Sequence, residues 1–225
     1  MKELNSFSKS KLLDKLIELK EIPNSYYWDF RLKFCYHTNK IEGSTITLNG
    51  MISIIKDGII TDKNVKFDDV LEAMNSLTLF DYVIDTANEN LNKKLIREFH
   101  QILKSGTNDD KMGLCGCFKR YNNKILGTDF DTSEPMNVES DLDDLLNLET
   151  NSIRGICEFH RRFERIHPFQ DGNGRVGRFI MLRQLILINK MPIIINEENS
   201  REYRESLTTT DSLVEFYNNT DKFKV

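Results

Sequence analysis

The chain reads as an all-α domain with one small β-hairpin. Apolar residues recur at three- and four-residue spacing along most of its 225 residues, the period of amphipathic helices. Asn, Ser and Gly stand at the ends of these stripes, where caps and stops belong. One stretch, Phe118 to Phe130 with Asn122-Asn123 at its turn, has the pattern of a hairpin.

The elements follow in order. Leu12, Leu13, Leu16, Ile17 and Leu19 form a stripe that stops before Pro23. Ser25 to about Glu42 is a second helix, carrying Tyr27, Trp28, Leu32, Phe34 and Cys35. Asn49 is placed as N-cap of a helix from Met51 to Lys56 that Gly58 ends. Val70, Leu71, Met74, Leu77, Phe80 and Ile84 predict a long helix; Leu95, Ile96, Phe99, Ile102 and Leu103 predict another, closed by Ser105-Gly106. Ser140 is expected to cap a short acidic helix, and Ile153, Ile156, Cys157, His160 and Phe163 repeat up to Ile166. The pattern restarts near Gly174 with Phe179, Ile180, Leu182, Leu185 and Ile186. No repeat or composition break divides the chain. Residues 1–60 read as N-terminal helices and 61–225 as the main domain of the same globule.

Composition excludes several functions. Lys and Arg number 31 against 35 Asp and Glu, a net charge of −4, whereas a duplex nucleic-acid partner demands clustered cations. At 39% apolar residues, with 11 Gly and 4 Pro, the chain is neither disordered nor fibrous. The start, MKELNSFSKSK, lacks the apolar run of a secretory leader. The most apolar window, Phe179 to Ile195, is broken by Arg183, Gln184, Asn189, Lys190 and Pro192, so no membrane partner is expected. Cys35, Cys115, Cys117 and Cys157 form no CxxC pair and read as reduced thiols of a cytoplasmic protein.

His167-Pro168-Phe169-Gln170-Asp171-Gly172-Asn173-Gly174-Arg175-Val176-Gly177-Arg178 stands apart from the rest. The residue before a proline is pushed out of the α region, so one helix ends at Ile166 and the next starts at the Gly-Asn-Gly turn. A glycine-rich helix N-terminus offers free N–H groups and a favourable dipole to a phosphate. Arg175 and Arg178, three residues apart, share one face and suggest a polyphosphate. Asp171 is placed to hold Mg²⁺, and His167, with a pKa near neutral, is the candidate general base. The match of Gly172-x-Gly174-x-x-Gly177 to a dinucleotide fingerprint fails because helix, not strand, precedes it. No Walker loop occurs. His37, His100 and His160 have no companion at metal-ligand spacing and are assigned to structure.

HPFQDGNGRVGR resembles the signature HPFx(D/E)GNGRxxR of Fic-domain proteins at every fixed position, and the wider similarity runs from about Phe99 to Phe216. The resemblance implies a Fic-type helical core with a β-hairpin flap, ATP and Mg²⁺ as cofactors, and transfer of AMP to a Tyr, Ser or Thr hydroxyl of a protein or of the enzyme itself. By that similarity His167 is the base, Asp171 the metal ligand, and Gly172, Asn173 and Gly174 the anion hole. Arg175 then meets the β-phosphate and Arg178 the γ-phosphate. Leu126, Gly127, Thr128 and Asp129 fall on the flap, whose usual paired glycines are reduced to Gly127. Tyr203 falls on the helix lining the adenine pocket, and Asp211 stands where Asn is expected.

Thr38-Asn39-Lys40-Ile41-Glu42-Gly43 fits the family's inhibitory pattern (S/T)xxxE(G/N), placed before the core as in the class with an N-terminal inhibitory helix. Thr38, Glu42 and Gly43 are thus the inhibitory residues, with Glu42 expected on Arg178. The leading expectation is an autoinhibited protein adenylyltransferase. Removal of AMP using Glu42 and a catalytically silent nucleotide-binding module are the alternatives, and homo-oligomerisation is left open. Gly174, retained in the anion hole, argues against kinase-like or phosphocholine-transferring relatives.

Overall fold

Short polar side chains open five of the helices. Ser10, Thr47, Asn92, Ser152 and Thr209 each accept the N–H three residues on, which satisfies a donor that a helix N-terminus leaves free. The structure is a computed structural model that describes residues 10–124 and 131–223. Its helices are α1 (Lys11–Lys20), α2 (Tyr26–Lys40), α3 (Leu48–Asp57), α4 (Phe67–Asp85), α5 (Lys93–Lys104), α6 (Asn108–Lys111), α7 (Val138–Leu146), α8 (Ile153–Ile166), α9 (Asn173–Leu187), α10 (Ser200–Ser206) and α11 (Thr210–Asn219). Among the described residues the only β pairing is an isolated bridge between Ile193 and Lys222.

The apolar stripes meet around two helices. The long α4 packs on α2 and α5, and Phe80 at its centre lies edge-on to Tyr27 and Phe30 and against Phe34, with ring centroids 5.2–5.8 Å apart. Phe34 in turn meets Phe179 on α9 at 5.1 Å. Almost every residue of α9 is buried, because α1, α2, α4, α5 and α8 all touch it. Apolar residues accordingly stand on every side of it, with Arg175, Arg178, Arg183 and Gln184 buried among them. Gly177 lets α8 approach: a Cβ there would lie 2.5 Å from Glu164 Oε1 and 3.1 Å from Phe163. A second apolar cluster joins Ile156, Met181 and Leu185 to Tyr203, Leu213 and Phe216 of α10 and α11. Residues of both parts of the chain share the larger core, from Leu13 and Phe30 to Phe169 and Ile186.

The structure changes three of the expected elements. Thr47, not Asn49, caps α3, because the Thr47 hydroxyl accepts from Gly50 while Asp62 accepts from its N–H and its O–H. Ser140 lies inside α7, donating to the Asn137 carbonyl, and a 3₁₀ turn at Pro135–Asn137 starts that segment instead. No β-hairpin is seen: residues 118–124 form no strand, and 125–130, with Leu126, Gly127, Thr128 and Asp129, lie outside the described residues. Lys119 and Asn123 bond to the loop after α8, and they meet Thr132 across the expected hairpin through its hydroxyl and not through a strand ladder. Lys119 N–H donates to Pro168 O and Asn123 Nδ2 to Phe169 O, both at 2.8 Å. Among the described residues no helix is long and apolar enough to cross a membrane.

Phe80→Ala removes the ring on which three other aromatics rest. Urea denaturation should show a loss of about 3–5 kcal/mol, and a loss under about 1 kcal/mol would mean the aromatic cluster closes over the gap.

Candidate active site

Pro168 excludes helix at the preceding residue, and His167 accordingly leaves α8 in a left-handed conformation with φ 50° and ψ 60°. Gly172, at φ 78°, turns the chain back into α9. Asn173 closes the loop between them. Its Oδ1 accepts the Phe169 N–H at 2.7 Å and its Nδ2 donates to the Phe169 carbonyl at 2.8 Å. Phe169 is fully buried and stacks face to face on His100, 3.9 Å between centroids. His100 Nε2 donates to the Asp171 carbonyl and its Nδ1 accepts the Gly116 N–H. The loop is therefore gripped by three side chains, and the first-turn N–H groups of α9 open beside His167 and Asp171 with no partner inside the helix.

His167 is set up as a base. Its Nδ1 lies 3.2 Å from the Glu164 carbonyl, which can only accept, so Nδ1 carries the proton and Nε2 is the basic nitrogen. Burial, offset in part by that bond, lowers its pKa to about 4, and the imidazole is neutral near pH 7.

Asp171 heads a cluster of charges. Lys104 Nζ sits between Glu72 Oε1, Asp109 Oδ2 and Asp171 Oδ2 at 2.5, 2.6 and 2.5 Å. Arg175 pairs with the other Glu72 oxygen, donates to Asn39 Oδ1 at 3.2 Å and reaches Asp171 at 3.4 Å. Burial would raise the Asp171 carboxyl, but Lys104 and Arg175 outweigh it and hold it down at about 2. The Asp171 side chain is 61% exposed. Asp171, Glu72 and Asp109 offer carboxylate oxygens within 4.8 Å of one another, but Lys104 lies among them. The accessible, ionised Asp171 carboxylate is the one that fits Mg²⁺, a hard cation that takes oxygen ligands.

Arg178 projects from the same turn of α9 and is buried. Its Nε donates to Thr38 Oγ1 at 2.8 Å, and its Nη2 to the Thr38 carbonyl at 3.0 Å and to Glu42 Oε1 at 2.6 Å. Gly43, at φ 87°, turns the chain away just beyond Glu42. Burial raises the Glu42 carboxyl, Arg178 and Arg175 lower it, and the balance lowers it. A Cβ on Gly174 would lie 2.5 Å from Glu42 Oε1 and 2.9 Å from Arg178 Nη1. The Glu42–Arg178 pair thus lies directly over the helix N-terminus. Tyr203 is buried on the other side, its hydroxyl 2.6 Å from His160 Nε2 and its ring 5.9 Å from the Arg178 guanidinium. Asp211 stands apart, exposed on α11 and paired with Arg154.

These features lie within a stretch of chain that is similar to known proteins. The model of the Fic/DOC family matches residues 90–185. Residues 90–185 thus match a Fic domain. A protein adenylyltransferase Fic of Nematostella vectensis is 27% identical over 183 residues, 76% of this chain and 41% of that protein. The protein adenylyltransferase fic-1 of Caenorhabditis elegans is 22% identical over 179 residues, 77% and 35%. The chain spans less than half the length of these two relatives. Among solved structures, a Fic domain containing signaling protein from Bacteroides thetaiotaomicron superposes with a TM-score of 0.74 at 20% identity, covering 92% of this chain and 90% of that one. Fic-1 from C. elegans gives 0.68 at 20%, covering 92% and 67%. The shared fold extends well beyond the family match.

Sequence reasoning missed four residues that shape the Fic loop: Glu72, Lys104, His100 and Asn123. Each comes from another element and carries no local motif. Their one visible trace was a charged or polar residue on an apolar stripe, as with Lys104 after Leu103 and His100 after Phe99.

The buried imidazoles generate a pH prediction. His167 is lowered to about 4 and His160, chiefly by burial, to about 3. The unfolded chain protonates near 6.5, so their contribution to stability is complete above that pH and is lost as the pH falls toward the folded values. Denaturation at pH 7 and pH 5 should show the lower stability at pH 5, and the His167 ring protons should titrate near 4. A midpoint at 6.5 would refute the buried neutral base.

Proposed function

We propose that this Fic domain is a protein adenylyltransferase held in check by Glu42. The observation that carries the reading is His167, a neutral base beside an open helix N-terminus and Asp171, in a chain whose curated relatives bear that activity in their names. The target hydroxyl oxygen attacks the α-phosphorus of ATP, its proton passes to His167 Nε2, and the bond from the α-phosphorus to the bridging oxygen breaks to release pyrophosphate. Gly172, Asn173 and Gly174 hold the phosphate oxygens with backbone N–H groups. Asp171 would hold Mg²⁺, which neutralises phosphate charge when bound. Arg175 supplies positive potential beside the β-phosphate from within its ion pairs. Tyr203 walls the adenine side. Leu126, Gly127, Thr128 and Asp129 belong to the flap that docks the target backbone. Asp211, tied to Arg154 on the surface, has no role in this scheme. The free cysteines suit a reducing cytoplasm.

Glu42 is the brake because it holds Arg178, the cation the γ-phosphate needs. Removal of AMP is a second reading, favoured by the ionised and 38% exposed Glu42 carboxylate, which can accept a proton from water.

ATP labelled at the α-phosphate tests both. Glu42→Gly should raise protein-bound label about tenfold, the effect of roughly 1.4 kcal/mol once solvent screening of a partly exposed pair is allowed for. Glu42→Gly with Arg178→Ala should lose most of that gain. His167→Ala in the Glu42→Gly background should cut labelling about 10²–10⁴-fold. Unchanged labelling after Glu42→Gly would sink the brake. Release of AMP from labelled protein by the wild type and not by Glu42→Gly would support the removal reading.

A further inference from the structure

Two lysines are buried among the described residues. Lys104 sits among carboxylates, whereas the acceptors of Lys119 are all uncharged. Its Nζ donates to Asn123 Oδ1 at 2.8 Å, to Thr132 Oγ1 at 3.0 Å and to the Ile166 carbonyl at 3.2 Å. An ammonium has three N–H groups, so none is left over. Burial lowers its pKa to about 8, with Asp141 of α7 working against that, and at pH 7 the group is still a cation. Lysine is rarely buried unless an acidic group pairs with it, so this one needs a reason.

The reason lies in what it holds. The Ile166 carbonyl belongs to the last turn of α8, where carbonyls lack partners inside the helix and a cation is favoured by the dipole. The backbone N–H of the same Lys119 donates to the Pro168 carbonyl at 2.8 Å. One residue therefore grips the chain directly before and directly after His167. His167 stands in the left-handed region, at φ 50°, which a residue other than glycine keeps only where its surroundings impose it. Asn123, itself bound to the ammonium, extends the grip to the Phe169 carbonyl. The charge acts on the imidazole as well. Burial is the main reason His167 stays neutral, the Glu164 carbonyl opposes it, and Lys119 adds to burial while Glu42 and Asp171 work the other way.

We infer that Lys119 is a positioning residue for His167, fixing the chain on both sides of it so that Nε2 is presented to the hydroxyl that is to be adenylylated. Lys119 does not touch the reacting atoms and acts only through the histidine. The role rests on the adenylyltransferase reading, but the hold on His167 can be measured without it. A base misplaced by a fraction of an ångström to an ångström loses much of its effect on the chemical step, while the nucleotide is bound by other groups.

Lys119→Met keeps the apolar stem and removes the ammonium. In the Glu42→Gly background, with ATP labelled at the α-phosphate, kcat should fall about tenfold to a hundredfold while KM for ATP stays within about twofold. Lys119→Arg, with five donors for the same oxygens, should keep most of kcat. An NMR titration of the full chain gives the second readout: the His167 ring protons should titrate above their midpoint of about 4 in Lys119→Met and stay near it in Lys119→Arg. Unchanged kcat in a folded Lys119→Met would overturn the role, as would a loss carried by KM for ATP alone or an equal loss in Lys119→Arg. Should no form of the protein transfer label, the adenylyltransferase reading is what has failed, and a His167 midpoint that Lys119→Met leaves in place would then overturn the hold on the base. If Lys119→Met does not fold, Lys119→Gln, polar and uncharged, replaces it with the same expected outcomes.

Discussion

Glu72, buried on α4, takes the Lys104 ammonium on one carboxylate oxygen and the Arg175 guanidinium on the other. Three helices are tied through that one side chain. Two cations on a single carboxylate leave an excess of positive charge, and Asp109 and Asp171 reverse it, so that the cluster carries one net negative charge. The exposed carboxylate of the Fic loop thus owes its position and its ionisation to residues outside the loop. Removing one member of such a cluster leaves a buried charge uncompensated, which typically costs about 3–5 kcal/mol.

A second constraint is the meeting of two helix ends. The last turn of α2 leaves carbonyl groups without partners, and the first turn of α9 leaves N–H groups without partners. Arg178 leaves the N-terminal turn of α9 to satisfy Thr38 O, and Arg204 satisfies Ile41 O. A cation at a helix C-terminus is also favoured by the dipole. The segment proposed to inhibit is thus the natural terminus of α2, capped by arginines. Glu42 takes its place on Arg178 as the helix ends.

The site was legible from the sequence where its chemistry is contiguous. His167, Asp171, the Gly-Asn-Gly turn and Arg178 lie within twelve residues, and helix periodicity on both sides places the turn at a helix start. Thr38 and Glu42 were legible only through the resemblance to the family's inhibitory pattern, and the structure puts both on Arg178. Glu72, Lys104 and His100 were not, since their partners come from helices tens of residues away and spacing carries no record of that. Helix existence was plain from the apolar stripes, while caps were not. Thr47 and Asn49 are equally able to cap by type, and Asp62, reached only in the fold, decides between them. The first half of the expected hairpin forms no strand for a similar reason: Lys119 and Asn123 look like strand and turn residues, yet they bond to the end of α8 and the loop after it.

The position of Glu42 just past the end of α2 has a kinetic consequence. Helix termini open at far lower free energy than helix centres, because each opening breaks few contacts. The Glu42–Arg178 contact can therefore break by opening of the last turn of α2 alone, without global unfolding. On the proposed autoinhibition, the resting output of the domain becomes a readout of that local equilibrium, and whatever loosens the turn around Thr38 and Gly43 tunes it without approaching the nucleotide.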